Sequence, residues 1–378
     1  MTTEAAAALS DSEIATLVID ASSLIAIETP NPPGNELAAA RWLDRRLRGS
    51  ATRVEVVVHE GERASVSAAY SFGSGPVLIL NTHLDVVPVT SPSQWSPQVR
   101  DGRLHGRGAC DAKGALAAMI AACERLNRDP AGMTGTILLN AVADEEVGAL
   151  GTQALLAGGL SATAAIVGEP TGNELLVGSR GAYRIAVSFT GVAAHSSAPA
   201  DGVNAVYRAA RFILAIEALN ARLAGPDAGA CAATVVHGGT KANVIPDSCT
   251  VQVDRRLATT ESLKVAAEEI EAILRGQREE DPDLTWDIEA VGTQLEPVII
   301  SPASSLVARC LEALGHDYPG STFPAGTDAP HLVAAGIPTV IYGPGSLAQA
   351  HAAEEWVEVG DLVAAAQGYE AIARALLR

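Results

Sequence analysis

The sequence predicts an α/β protein: a central mixed sheet flanked by helices, interrupted by a smaller inserted domain of order β-α-β-β-α-β. Three observations carry this. Strand-length apolar runs alternate with helix-period stretches through the first half. The rhythm changes in the middle and the alternation resumes near the end. The 378 residues also exceed one ordinary core, which favours two domains.

In order, "VEVVVHE" and "PVLILNTH" read as buried strands, "KGALAAMIAACERL" as a helix and "GTILLNAVA" as a strand. "GALGTQALLAGG" is a helix closed by glycines, and "AAIVGEP" opens as another strand. Strands linked by helices imply a parallel or mixed sheet covered on both faces. In the middle, "AYRIAVSFTG" is a strand, "GVNAVYRAARFILAIEALNARL" a helix, and "CAATVVHGG" and "SCTVQVDRRL" two further strands. "TESLKVAAEEIEAILRG", with Leu263, Ala267, Ile270 and Leu274 on one face, is a helix, and "LTWDIEAV" closes the unit as a strand. That order is the ferredoxin-like unit. The boundaries expected are 180–292 for the insert and 1–179 with 293–378 for the surrounding domain. There "SSLVARCLEALG" forms a helix, "IPTVIYG" a strand, and a last helix opens at Asp361.

Lysine and arginine total 26 against 44 acids, a formal charge of −18. A nucleic-acid partner needs a basic face and is excluded. No apolar run is long enough to span a bilayer. The opening "MTTEAAAALSDSEIATL" has an early acid and no basic n-region, which argues against a secretory signal. Five cysteines, scattered and without zinc-ribbon or redox spacing, read as reduced thiols in a cytoplasm.

The chemistry gathers at strand ends. "NTHLDVVP" puts His83 and Asp85 two apart, on one side if the strand continues. "GRGACDAKG" sets Asp111 in a glycine-rich loop before a helix. Asp144, Glu145 and Glu146 follow the strand "TILLNAVA", Glu169 follows the next, and His351 stands in a loop near the end. Ligands of open α/β sheets bind at the carboxyl ends of strands. Singly, each of these residues has an ordinary explanation: Asp111 as a helix cap, "DEE" as a solvated turn, each histidine as a loop residue. Together, two imidazoles and three carboxylates match a two-metal site in which one carboxylate bridges. Nitrogen and oxygen donors without thiolate suit zinc, and also cobalt or manganese. One acid of the "DEE" run can then ligate while a neighbour acts as general base.

These motifs, together with "GVAAHSSAP", "KANVIPD" and "GTDA", give the chain a close resemblance to the zinc-dependent deacylase and peptidase family of acetylornithine deacetylase, succinyl-diaminopimelate desuccinylase, aminoacylase and glutamate carboxypeptidase. The resemblance covers nearly the whole chain. It implies a zinc-binding domain interrupted by a lid domain that also forms a homodimer. It further implies that His83 and Glu169 hold one zinc, Glu146 and His351 the other, with Asp111 bridging and the Asp111–Ala112 peptide cis. Glu145 becomes the general acid/base, and Asp85 the residue that orients His83. In the insert, His195 matches a histidine lent across the dimer to the scissile carbonyl. Asn243 and Arg256 match substrate-binding positions, with neighbouring Arg255 leaving the choice of arginine open. Gly326 and Thr327 of "GTDA" border the substrate's carboxylate. Cys110, His105 and Ala115 depart from the common pattern without touching the ligand set, and Cys110 is expected to be buried and inert.

The function expected is therefore hydrolysis of the amide bond of an N-acyl amino acid by a metal-activated water. The substrate is a small molecule, with a free carboxylate. Cleavage of a peptide bond by a dipeptidase or carboxypeptidase is the main alternative, since one machinery serves both. An amidase or deaminating hydrolase acting on an unusual aromatic amide is also open. A metal-binding protein without catalysis is disfavoured by the presence of Glu145, and a structural zinc site by the lack of thiolates.

Overall fold

The computed structural model describes residues 8–223, 225, 228–318 and 320–378. Residues 1–7, the start of the opening stretch read above, lie outside them. The chain divides into two compact units. One is Met1–Ser179 with Ile299–Phe323 and Thr327–Arg378; the other is Arg180–Val298 with Pro324–Gly326.

The first unit is built on a six-stranded sheet. Its spatial order is Arg53–Val58, Ala64–Ser71, Thr136–Val142, Val77–His83, Ala164–Val167 and Thr339–Ile341. Each of the first three strands is antiparallel to its neighbour among them, and the last four run parallel. The sheet is thus mixed, as the alternating pattern predicts. Leu78 to His83 are all buried, so both faces of this central strand are covered, as parallel strands require. The helices Asp11–Ile25, Lys113–Arg128 and Val359–Leu376 pack on one another and share the main core with the sheet. Alanines at 115, 117, 118 and 122 are buried, and their small side chains let these helices approach closely.

The last helix begins at Val359 rather than Asp361. The short strand Trp356–Glu358 runs straight into it, leaving Glu358 at the cap and Asp361 in the first turn.

The second unit has a four-stranded antiparallel sheet of order Ala230–Gly238, Ser248–Leu257, Gly181–Thr190, Trp286–Ala290. The helices Ala205–Arg222 and Leu263–Glu280 add Phe212, Ile216, Ile270 and Leu274 to its core. This is the ferredoxin-like arrangement. Burial alternates strictly along Cys249–Leu257, so Arg255 and Arg256 leave the strand on opposite faces. Among the described residues, no helix is long and apolar enough to cross a membrane.

Candidate metal centre

Parallel strands put their carboxyl ends at one edge, and that edge collects the polar residues. His83 is the last residue of its strand. Glu145 and Glu146 lie in the turn after Thr136–Val142, and Glu169 lies two residues beyond Ala164–Val167. Asp111 arrives from the loop before Lys113–Arg128, and its peptide to Ala112 is cis. A Cβ on Gly114 would sit 2.2 Å from the Ala109 carbonyl oxygen. Only glycine allows this loop to fold back so tightly on the helix start. His351, in left-handed backbone with φ 62°, closes the group from the loop after Thr339–Ile341.

The side chains form two sets that share one member: His83, Asp111 and Glu169, and Asp111, Glu146 and His351, with ligand atoms in each set within 4.8 Å of one another. Asp111 divides its oxygens between them. Oδ1 lies 3.1 Å from His83 Nε2 and Oδ2 lies 3.3 Å from His351 Nε2. His351 Nε2 is also 3.2 Å from Glu146 Oε2. Five predicted ligands therefore converge, with a carboxylate between two imidazoles.

The electrostatics are those of a crowded cluster of buried acids. Burial pushes Glu145 and Glu169 well above the usual carboxylate range; Glu169 adds to the rise of Glu145, and Asp111 to that of Glu169. Burial also raises Glu146. Burial alone would raise Asp111, but hydrogen bonds from His351 and His83 hold it below its ordinary value. Hydrogen bonds to Asp111 and Glu146 lift His351 to about 10. Burial works against protonation of His83, yet its bond to Asp111 and the field of Glu145 raise it well above normal. Glu169 Oε1 is buried without a hydrogen-bond partner among the described residues. An orphaned carboxylate oxygen in a crowd of acids fits divalent cations. So does the donor chemistry, nitrogen and oxygen without sulfur. Cys110 lies beside the set, but its thiol is buried, pushed up in pKa by that burial, and donates to the Ser346 carbonyl.

Behind the ligands the structure refines the expected part of Asp85. His83 Nδ1 bonds the Asp85 backbone carbonyl at 2.8 Å, while the nearer carboxylate oxygen is 3.7 Å away. The Asp85 carboxylate instead accepts the Glu145 and Glu146 backbone N–H groups, both at 3.1 Å, and the Asn31 side chain at 2.8 Å. It fixes the turn that carries the two glutamates. Asn31 also donates to Asp144, which is paired with Arg63. The three acids of "DEE" thus have separate surroundings: Asp144 is held by Arg63 and Asn31, Glu146 joins the group of Asp111 and His351, and Glu145 is buried and feels the charge of Glu169. Asn31 escaped the sequence reading. Its only signal was a turn-rich "TPNPPGN", which says nothing of a contact across 54 residues.

Thr327 is buried; its hydroxyl accepts the Ala329 N–H and lies 3.4 Å from the Ser179 hydroxyl. Within the second unit, His195 is exposed on the short strand Ala194–His195. Its Nδ1 accepts the Ser197 N–H and lies 2.7 Å from the Ser197 hydroxyl. In the neutral ring the proton then sits on Nε2, which points its donor outward. Asn243 is exposed, and its carbonyl accepts the Ser196 N–H. Arg255 is fully buried and paired with Glu261 and Glu269. Arg256, half-buried, is paired only with Asp254 among the described residues. Gly326 goes with the second unit.

The profile of peptidase family M20/M25/M40 matches residues 79–375. The chain belongs to this family. It is a metal-dependent hydrolase acting on C–N bonds, as the M20 fold and its polar edge imply. The chain is 32% identical over 360 residues to an acetylornithine deacetylase of Myxococcus xanthus, covering 90% of this chain and 92% of that protein. It is 29% identical over 349 residues to a putative succinyl-diaminopimelate desuccinylase of Mycobacterium tuberculosis, covering 90% and 93%. A crystal structure described as a dinuclear metal binding peptidase of the M20 family, from Bacillus subtilis, superposes with a TM-score of 0.73 at 18% identity, covering 97% of this chain and 99% of that one.

Proposed function

We propose that the chain releases an amino acid from its N-acyl form, with two divalent cations held by His83, Asp111 and Glu169 and by Asp111, Glu146 and His351. The observation that carries this is the Asp111 carboxylate, which turns one oxygen to each histidine-bearing set. Zinc suits the donors, and cobalt or manganese are the other candidates. When bound, such a pair supplies Lewis acidity toward water and toward a carbonyl oxygen.

The chain's own residues do the rest. Glu145 takes the proton of the attacking water and returns it to the leaving amine. Its raised pKa favours the second step, and cations beside it would restore the base needed for the first. Asp85 keeps the Glu145 and Glu146 backbone in place. His195 offers Nε2–H to a developing oxyanion, in a homodimer, from the partner chain. Arg256 and Asn243 receive the substrate's carboxylate side, with Gly326 and Thr327 bordering it. Five buried free cysteines suit the reducing cytoplasm in which we place the enzyme. Cleavage of small peptides is the second reading, supported by the peptidase name of the Bacillus subtilis structure. The likeness to the acetylornithine deacetylase, at higher identity, favours the first.

Metal content and a substrate panel test the proposal together. Purified protein should carry about two metals per chain and release amine, in a chelator-sensitive way, from N-acetyl, N-succinyl or N-formyl amino acids. Turnover of dipeptides alone would favour the second reading; absence of tightly bound metal would end both. Loading should also expel protons. Without cations, the contacts of His83 and His351 with Asp111 and its acidic neighbours raise the pKa of both imidazoles, and a ligating imidazole must be neutral. Affinity should therefore rise with pH, and calorimetry in buffers of different ionisation enthalpy should report the released protons.

Arg256→Ala should raise KM roughly 10–100-fold for substrates with a free carboxylate, the worth of a hydrogen bond to a charged group. The same loss on a carboxylate-free amide would remove Arg256 from that role.

A further inference from the structure

Outside the ligand sets, one buried carboxylate makes more bonds to the site's backbone than any ligand does. Glu355 is 2% exposed. Its Oε1 accepts three backbone N–H groups of the loop that carries Asp111: Gly108 at 3.0 Å, Cys110 at 2.9 Å and Asp111 itself at 3.0 Å. Its Oε2 accepts from Nη1 of Arg107, which is 1% exposed. The Glu355 backbone carbonyl accepts the Gly106 N–H. Arg107 reaches on through Nη2, 3.5 Å from the carbonyl oxygen of His351. An ion pair thus reinforces the tie between two loops that continue the antiparallel pairing of Arg103–His105 with Trp356–Glu358. One carries Asp111; the other carries His351.

We infer that Glu355, through Arg107, is the positioning residue that sets Asp111 against His351 and so tunes the metal set of Asp111, Glu146 and His351 above the other. This rests on the two-metal reading. The physical case is one of rigidity. The ladder of Arg103–His105 with Trp356–Glu358 fixes where the two loops meet, but Asp111 and His351 lie beyond it in irregular backbone, and the 3.3 Å between Asp111 Oδ2 and His351 Nε2 depends on what holds that backbone. A carboxylate that accepts three N–H groups on one oxygen and a guanidinium on the other has both oxygens engaged. It cannot shift without breaking several charge-assisted bonds in a dry interior. The set of His83 and Glu169 needs no such tie on that side, because both of its other members follow strands of one sheet.

Glu355→Gln is the direct test. An amide has one acceptor oxygen and two donors. Whichever way it turns, its NH2 faces either Arg107 or the three backbone N–H groups. Arg107→Lys is the milder partner variant, since it keeps the charge and leaves the three N–H bonds to Glu355 intact. Metal-stripped protein is titrated with Co2+ by calorimetry. The substitutions are placed in a Glu169→Ala background, which isolates the His351 set, and in a His351→Ala background, which isolates the other. The expected result is a loss of about 10–100-fold in Co2+ affinity for the His351 set, the usual cost of removing an outer partner, with a clearly smaller loss for the His83 set. Equal losses in both backgrounds, or unchanged affinity in both, overturn the inference. If Glu355→Gln fails to fold, as a melting curve reveals, Arg107→Lys decides, and wild-type affinity in that variant overturns it. The parent chain is titrated first. Fewer than two Co2+ per parent chain would refute the two-metal reading itself, whatever Glu355 does.

Discussion

Glu145→Gln is expected to keep the full metal content and to lose about 10²–10⁴-fold in kcat, the range a positioned acid/base supplies. The reason lies in how the "DEE" turn is dealt out. Asp85 grips the Glu145 and Glu146 backbone amides alike, so neither backbone depends on the identity of the 145 side chain. Glu146 belongs to a ligand set and Glu145 to none. Glutamine preserves shape and removes only the ability to carry a proton. Steady-state kinetics paired with metal analysis separates the outcomes. Lost turnover with retained metal fits the acid/base role, and full activity refutes it. Lost metal would mean that Glu145 and Glu146 have exchanged duties, and Glu146→Gln would then keep its metal where the present reading has it lose one. KM should move little, because the missing interaction is made during the reaction rather than on binding.

The parts of this architecture that were legible in the sequence are those written in local pattern. The strand "VLILNTH" is apolar because both of its faces are covered, and the alternation in "SCTVQVDRRL" matches a sheet with helices on one side. The ligand types were legible because polar residues interrupt apolar runs at strand ends, where buried chains otherwise avoid them. What stayed hidden is of two kinds. Ala64–Ser71 is mostly alanine and serine, with only Val66 and Tyr70 besides, and lacks the β-branched run that announces a strand; it is held by pairing on both sides. The second kind is the support behind the ligands. Asn31, Arg107 and Glu355 act across separations that no periodicity reports, and each sits in a stretch that reads as a plain turn or loop. Arg255 and Arg256 show the boundary between the two. The doublet "RR" left the choice open, and only the period of the strand, once paired, put Arg255 in the core with two glutamates and Arg256 on the other face.

Asp111→Ala should be the most damaging substitution, with both metals and all measurable turnover lost. Glu169→Ala and His351→Ala, by contrast, should each leave one tight site. Asp111 is the only residue common to the two sets, and each of its oxygens faces a different histidine. Asparagine in its place keeps the shape but offers one acceptor oxygen and an NH2 group, so it can serve one side only. Asp111→Asn should therefore bind a single metal well, and Asp111→Ala none. Thermal melting with added zinc reads this without any substrate. A ligand present at 100 times its Kd stabilises a fold by about 2.7 kcal/mol per site, so the parent should gain from two sites, Asp111→Asn from one and Asp111→Ala from neither. The metal-free proteins supply the control. Removing Asp111 takes one negative charge out of an acid-crowded site, but it also takes away the hydrogen-bond partner that raises the pKa of His83 and His351. These changes oppose each other, so the metal-free melting points should differ far less than the metal-loaded ones. Should Asp111→Ala retain two tight metals, the bridge lies elsewhere, and the division of its oxygens between two histidines would be only a pair of buried hydrogen bonds.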